Sequence, residues 1–470
     1  MARSRTFFQN SGMTVVFLLH FQKNTTLCSH MKELIFSTQA CRALNLVQDT
    51  GKNVFITGKA GTGKSTLLEH LRLNSKRKMV VLAPTGVAAV NVNGDTIHSF
   101  FGLKPGFELD EAREKRIDEK KAKRFKSLKT ILVDEISMVR ADLLDAMDVF
   151  LRKAREDNNP FGGVQMVFFG DLYQLPPVMT WRDKEKFLSE YDSPYFFDAK
   201  VFQGANDLLS EAFHLEHIQL DTIYRQTDMD FIEVLNGVRN NCLSDEHLEK
   251  LNDRHDADFI PDKDDKFIHL MTTNADAATI NAVELAKLKG NMTTFVAANS
   301  GKIAKNLRPN DEEVTVKVGA QVMFIYNDPE RKWVNGTIGR VVNICEDYNE
   351  EKDKMETFLI VEKTDGERVE VRPHKWEISR YVFDSGNFKR EQIGSFTQIP
   401  LKLAWAITIH KSQGKTFEKV IIDLGSGSFA HGQTYVALSR CTSLDGIVLR
   451  RPFRKSDIIM DERIEMFSRV

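Results

Sequence analysis

The sequence has no excess of charge of either sign: 65 lysines and arginines face 66 aspartates and glutamates, a net charge of −1. That excludes a chain-wide polycation that binds polyanions by bulk attraction, although a local basic groove fits inside a neutral total. Cysteines are few and show no pairing pattern. The five, Cys28, Cys41, Cys242, Cys345 and Cys441, are scattered, odd in number and never in a CxxC pair. This argues against a disulfide framework or a zinc site and for a reducing cytoplasm. Long hydrophobic runs are missing too. The one membrane-like stretch, Met13 to Phe21, is too short to span a bilayer and lacks a small-x-small cleavage site. Residues 1–30 are therefore expected to be an upstream extension outside the fold, with Met31 opening the folded protein and no membrane contact. Repeats and low-complexity segments are also lacking.

A length of 470 residues exceeds what one hydrophobic core supports, so two or more domains are expected. Short β-rich apolar runs occupy Asn53–Thr57, Met79–Ala83, Thr130–Val133 and Gln165–Phe169. Between the last two lies an amphipathic helix, Val139–Glu156, marked by Leu143, Leu144, Met147 and Leu151. Buried strands alternating with helices predict a mostly parallel α/β sheet over residues 31–205. The charged stretch DEAREKRIDEKKAKRF, within a small insertion at 102–127, reads as a solvated helix or, less simply, as a DNA-facing element. A second α/β unit is expected over 206–325 and 396–470, with strands at Phe267–Met271, Val420–Leu424 and Gly446–Leu449 and helices at Ala278–Leu288 and Gln433–Cys441. Residues 326–395 change character: short antiparallel strands with a turn at Thr364-Asp365-Gly366 predict an inserted β-barrel.

The chemistry begins at Gly58-Lys59-Ala60-Gly61-Thr62-Gly63-Lys64-Ser65, which fits GxxxxGK[ST] between a predicted strand and a predicted helix. Glycines let backbone N–H groups cradle phosphates, and the helix start adds a favourable dipole. Lys64 is then the side chain for the β- and γ-phosphates of ATP, Ser65 the ligand for Mg²⁺, and Thr66 continues the cradle. Asp134-Glu135 closes the buried run Ile131-Leu132-Val133. One carboxylate there, Asp134, can hold Mg²⁺, and the next, Glu135, can orient the attacking water. Together these features define an NTPase.

Four further segments narrow the class: Ala83-Pro84-Thr85-Gly86-Val87-Ala88-Ala89 with Thr96-Ile97-His98-Ser99-Phe100; Gly170-Asp171-Leu172-Tyr173-Gln174-Leu175-Pro176-Pro177-Val178; Ala404 to Gly414; and Thr434 to Arg440. In this order they resemble the motifs of superfamily 1B helicases, most closely the petite-integration-frequency (PIF) type with its RecD and phage Dda relatives. The resemblance runs from about Gln39 to Arg440. It implies two RecA-like P-loop domains with an SH3-like β insertion in the second, and an ATP-dependent helicase moving 5′ to 3′ on single-stranded DNA. A DNA-stimulated ATPase that remodels protein–DNA complexes without processive unwinding stays open as an alternative.

By the same resemblance, Gln39 reads adenine, Gln174 senses the γ-phosphate, and Arg225 and Arg440 reach that phosphate from the second domain. Gln413 and Gly414 sense nucleotide, and Glu418 reaches the ribose. Pro84, Thr85, His98, Phe100, Thr408 and His410 are implied DNA contacts, with aromatic stacking for bases and polar groups for phosphates. Each also has an ordinary structural reading: Gln39 as a surface helix residue, Phe100 as core, His98 as a satisfied helix-end histidine. Implied partners are single-stranded and forked duplex DNA, with G-quadruplex DNA as a further expected one, and the expected state is a monomer.

Overall fold

The computed structural model describes residues 15–17, 34–75, 77–103, 109–114, 117, 119–179, 181–203, 213–226, 228–262, 265–301, 303–349, 353–384 and 387–468. Of the expected extension at 1–30, only Val15–Phe17 falls within these, as a strand antiparallel to Leu34–Phe36.

The first half is a six-stranded sheet in the order Asp95–Thr96, Met79–Ala83, Thr130–Val133, Gln165–Gly170, Val54–Gly58, Glu216–Leu220. Every neighbouring pair is parallel. Runs such as TILV and QMVFFG are buried along their whole length, as strands covered on both faces must be. Alternate residues serve opposite faces. Val54 and Ile56 pack with Leu44 of the helix Thr38–Asn45 and Leu67 and Leu71 of the helix Lys64–Asn74. Phe55 points the other way, into the core built with Leu144, Met147 and Leu151 of the helix Ala141–Arg155.

The second half holds a four-stranded sheet in the order Ala406–Thr408, Ile268–Met271, Val420–Asp423, Ile447–Leu449, again parallel throughout. The helix Met229–Arg239 packs on it through Phe231, Val234 and Val238, and the helix Gln433–Leu438 through Val436 and Leu438. The β insertion forms a five-stranded sheet in the order Arg368–Val371, Lys354–Lys363, Ile338–Asn349, Gln321–Phe324, Leu401–Leu403. It also includes a three-stranded sheet in which His374–Asp384 pairs with Asn387–Gln398 and the latter with Ala298–Gly301. Strands from both flanks of the expected 326–395 segment thus join it.

Three boundaries differ from the sequence reading. The first half does not stop at residue 205, because Glu216–Leu220 pairs with Val54–Gly58 as an edge strand of its sheet. The C-terminal helix Glu462–Ser468, expected in the second half, returns to the first. There Ile464 is fully buried in the first core, and the Phe467 ring stacks on Phe197 at 4.5 Å and lies 5.0 Å from His217. The hairpin of the β insertion also reaches back. The Tyr381 backbone N–H donates to Asp95 Oδ2 at 2.8 Å, and its hydroxyl accepts from the Val81 N–H at 3.4 Å. The charged stretch near 102–127 is more than a solvated helix, since Ala112 and Phe125 are buried in the first core.

Candidate functional site

The strand Val54–Gly58 runs into a loop whose Gly61 and Gly63 take φ of 81° and 83°, after which the helix Lys64–Asn74 begins with no side-chain cap. Its first N–H groups are therefore left for a ligand, and an anion suits them. Gly61 has a second reason to be glycine: a Cβ there would lie 2.4 Å from Arg225 Cβ. Around this loop opens a cavity of about 630 Å³, lined on one side by residues 60–67 and Glu135 and on the other by Tyr224, Arg225, Gly414 and Arg440.

Lys64 Nζ is folded onto its own loop, donating to the carbonyls of Gly58 at 2.7 Å and Lys59 at 3.0 Å. Burial lowers its pKa, against the pull of Asp171 and Glu135. Burial also pushes the Asp134 and Glu135 carboxyls above the usual carboxylate range, and the charge of Asp134 adds to the effect on Glu135. Glu135 sits at φ 49°, a left-handed conformation that non-glycine residues hold only when their surroundings impose it. A lysine whose pKa is lowered and two carboxyls whose pKa values are raised, gathered beside one phosphate loop, mark a functional site.

Hydrogen bonds tie this loop to the second half. Gln413 Nε2 donates to Glu135 Oε2 at 3.3 Å and to Gln174 Oε1 at 3.2 Å. The Ala60 N–H of the phosphate loop donates to Tyr435 Oη at 3.0 Å. Arg440 is fully buried and spends its donors on the carbonyls of Val436, Lys415 and Ser412 and on Ser439 Oγ. Burial, then the nearby Arg225, brings its pKa down to about 9. Arg225 Nη1 donates to the Ser439 carbonyl at 3.2 Å. Asp171 forms a buried pair with Arg239 at 3.1 Å, and the Arg239 guanidinium lies 3.6 Å from the Tyr173 ring centroid.

Most expected nucleotide residues are thus brought together, but two stand apart. Gln39 does not line the cavity, and its Nε2 is engaged with Asp221 Oδ2 at 3.0 Å. Glu418 is exposed and outside the lining, with its backbone carbonyl accepting from Cys441 Sγ. Sequence reasoning missed Asp171, Tyr435 and Arg239. Asp171 and Tyr435 lie inside motifs already recognised, whereas Arg239 ends an ordinary amphipathic helix and carries no signal.

The expected DNA contacts divide. Pro84 is half-buried and Thr85 exposed, with Thr85 Oγ1 capping the helix Gly86–Asn91 through Ala88 N–H. Thr408 caps Ile409–Ser412 in the same way but is buried, while His410 beside it is half-buried. Burial lowers the pKa of both His98 and His410. Phe100 is a correction. It is 4% exposed, packed edge-on to Phe101 at 5.2 Å and Phe125 at 5.6 Å, with the Arg124 guanidinium over its ring at 4.3 Å. A ring enclosed in this way has no free face for a base.

A phosphate loop in one parallel α/β half, arginines in the other and a cleft between them define a two-domain P-loop motor of the RecA-like kind. The PIF1-like helicase family model matches residues 37–249. The ATP-dependent DNA helicase Pif1 of Bdellovibrio bacteriovorus is 33% identical, covering 93% of this chain and 92% of that protein. The PIF1 helicase of Xenopus laevis is 34% identical, over 95% of this chain and 65% of that protein. Bacteroides sp Pif1 in complex with ADP-AlF4 superposes with a TM-score of 0.81 at 38% identity, covering 93% of this chain and 97% of that one. The same relative bound to ssDNA gives 0.64 at 37% identity, with the same coverage. The chain belongs to the PIF1-like helicase family. Among the described residues, no helix is long and apolar enough to cross a membrane.

Proposed function

We propose that this chain is an ATP-dependent DNA helicase that moves 5′ to 3′ along single-stranded DNA and separates forked duplex. One observation carries the reading: Gln413 of the second half donates at once to Glu135 and Gln174 of the first, so the hydrolytic groups are complete only when the halves meet. Relatives named ATP-dependent DNA helicases, and a Bacteroides Pif1 helicase in complex with ADP-AlF3 and ssDNA, support it.

The phosphates of ATP take the uncapped N–H groups of the phosphate loop, and Lys64 exchanges the carbonyls of Gly58 and Lys59 for them. Glu135 orients the attacking water, and Gln174 and Gln413 border the γ-phosphate. Arg225 and Arg440 approach from the second half, giving up contacts to backbone carbonyls in exchange for phosphate. The Ser65 hydroxyl and the Asp134 carboxylate are hard oxygen donors next to Lys64, a set that fits Mg²⁺. That ion, when bound, neutralises charge on the phosphates. Loss of the γ-phosphate removes one of the links between the two halves, which shifts the balance toward an open cleft, and DNA held at Thr85 on one half and His410 on the other is moved by the difference.

Labelled duplexes with one single-stranded tail test this. The 5′-tailed duplex should be unwound with ATP and the 3′-tailed one left intact; the reverse preference would overturn the direction. Arg440→Ala should still bind ATP yet turn over about a thousandfold more slowly, the low end for an arginine that contacts the γ-phosphate. Normal turnover would remove the two-half cleft from the mechanism.

A further inference from the structure

The helix Met229–Arg239 ends in a side chain that the nucleotide motifs leave unassigned. Arg239 crosses the cleft: Nη2 donates to Asp171 Oδ1 at 3.1 Å, and the guanidinium plane lies on Tyr173. Its buried Nε has no hydrogen-bond partner and its Nη1 donates only to the neighbouring Asn240 Oδ1 at 3.4 Å, so across the cleft Asp171 and Tyr173 are what hold it. Asp171, 1% exposed, uses its other oxygen to accept from Gln174 Nε2 at 3.3 Å.

A primary amide has one donating end and one accepting end. With one N–H of its NH₂ held by Asp171, the Gln174 amide is set in one orientation, its second N–H remains to donate, and its Oε1 accepts from Gln413 Nε2, which also donates to Glu135. The chain of contacts runs from the second half to the first, back to the second and again to the first. We infer that Arg239 is a positioning residue for ATP hydrolysis: acting through Asp171, it fixes which end of the Gln174 amide faces the phosphate site, and it does so only when the two halves are closed. The inference rests on reading Gln174 as the γ-phosphate contact. With Arg239 withdrawn, Asp171 loses its charge partner and the Gln174 amide loses its fixed orientation. Binding of ATP, carried by the phosphate loop of the first half, does not depend on that orientation, whereas turnover does.

The test uses the whole chain, steady-state ATPase with single-stranded DNA, and thermal denaturation alongside. Arg239→Ala should lower kcat about tenfold to a hundredfold, the scale of a small misplacement of reacting groups, with KM for ATP changed less than about twofold. Arg239→Lys keeps the charge but not the planar fork, and should fall between Arg239→Ala and the unaltered protein. Asp171→Asn should reproduce the kcat loss, which keeps the test decisive if the alanine variant fails to fold. Combined with Gln174→Ala, Arg239→Ala should cost nothing further, because both act through one amide. A lowered melting temperature with kcat intact in Arg239→Ala, or losses that simply add in the double variant, would overturn the inference. An inactive Gln174→Ala beside a fully active Arg239→Ala would overturn it alone. Full activity in Gln174→Ala would sink the γ-phosphate reading and this inference with it.

Discussion

Replacing Phe100 by alanine asks whether that ring holds DNA or holds the first half together. The ring touches Phe101, Phe125 and Tyr381 and lies under Arg124, with almost no surface exposed. Truncating a buried phenylalanine costs about 3–5 kcal/mol, the lost burial adding to the cavity left behind. In a half of this size each kcal/mol is worth about 2–4 °C, so the melting temperature should fall by roughly 6–20 °C. Phe100→Leu fills most of the space and should cost only about 1 kcal/mol. Thermal denaturation gives the first number, and ATPase stimulation by single-stranded DNA, read well below the transition, gives the second. Both variants should keep most of their stimulation there. A base-stacking ring would behave in the opposite way: removing it would forfeit about 1–3 kcal/mol of DNA affinity and leave stability nearly untouched. Unchanged melting with lost stimulation in Phe100→Leu would refute the core assignment.

Two other substitutions probe the contact between the halves. Gly432→Ala would place a Cβ 2.4 Å from the Tyr173 carbonyl oxygen and 2.5 Å from that of Gln174. The halves should then fail to close, and kcat for ATP should drop by at least about tenfold while each half stays folded by circular dichroism; normal turnover would mean the closure seen here is not the working one. Tyr435→Phe removes the acceptor of the Ala60 N–H and should destabilise the nucleotide-free protein by about 1–3 kcal/mol. An unaltered melting temperature would show that water replaces the hydroxyl without loss.

Legibility followed burial. Met79–Ala83 and Thr130–Val133 emerge with the bounds read from sequence, because strands covered on both faces are unbroken apolar runs. Glu216–Leu220 carries no such signal, since EHIQL, at the sheet edge, buries only Ile218 and Leu220. Residues 396–470 read as one continuous part of the second half for a related reason: Ile464 and Phe467 declare an apolar face but not the core that receives it. Within the site, Lys64, Asp134, Glu135, Gln174, Gln413 and Arg440 come from segments whose order carried the resemblance. The link between Asp171 and Arg239 joins residues far apart in sequence, and nothing local to Arg239 announces it. Thr85 and Thr408 were legible as polar positions, yet both hydroxyls are used as helix caps. Phe100 and Phe101, adjacent and chemically alike, are both buried, and no window of sequence separates a stacking ring from a core ring.

The return of the chain through the helix Glu462–Ser468 has a mechanical consequence. The polypeptide leaves the first half's sheet after Leu220, touches that half again through the hairpin at Tyr381, and finally comes back at Glu462, where the Phe467 ring lies 5.0 Å from that of His217 on the departing strand. The outgoing and incoming segments are therefore bound side by side, like the two threads of one book spine. Leaves sewn at a spine can fan open but cannot slide past each other or drift apart. Each swing brings Arg225, Arg440 and Gln413 back to the same facing page, at a local concentration no separate subunit would reach. Severing the chain within the second half would leave it stitched through the other thread, so a nicked molecule should stay in one piece and keep its two faces in register.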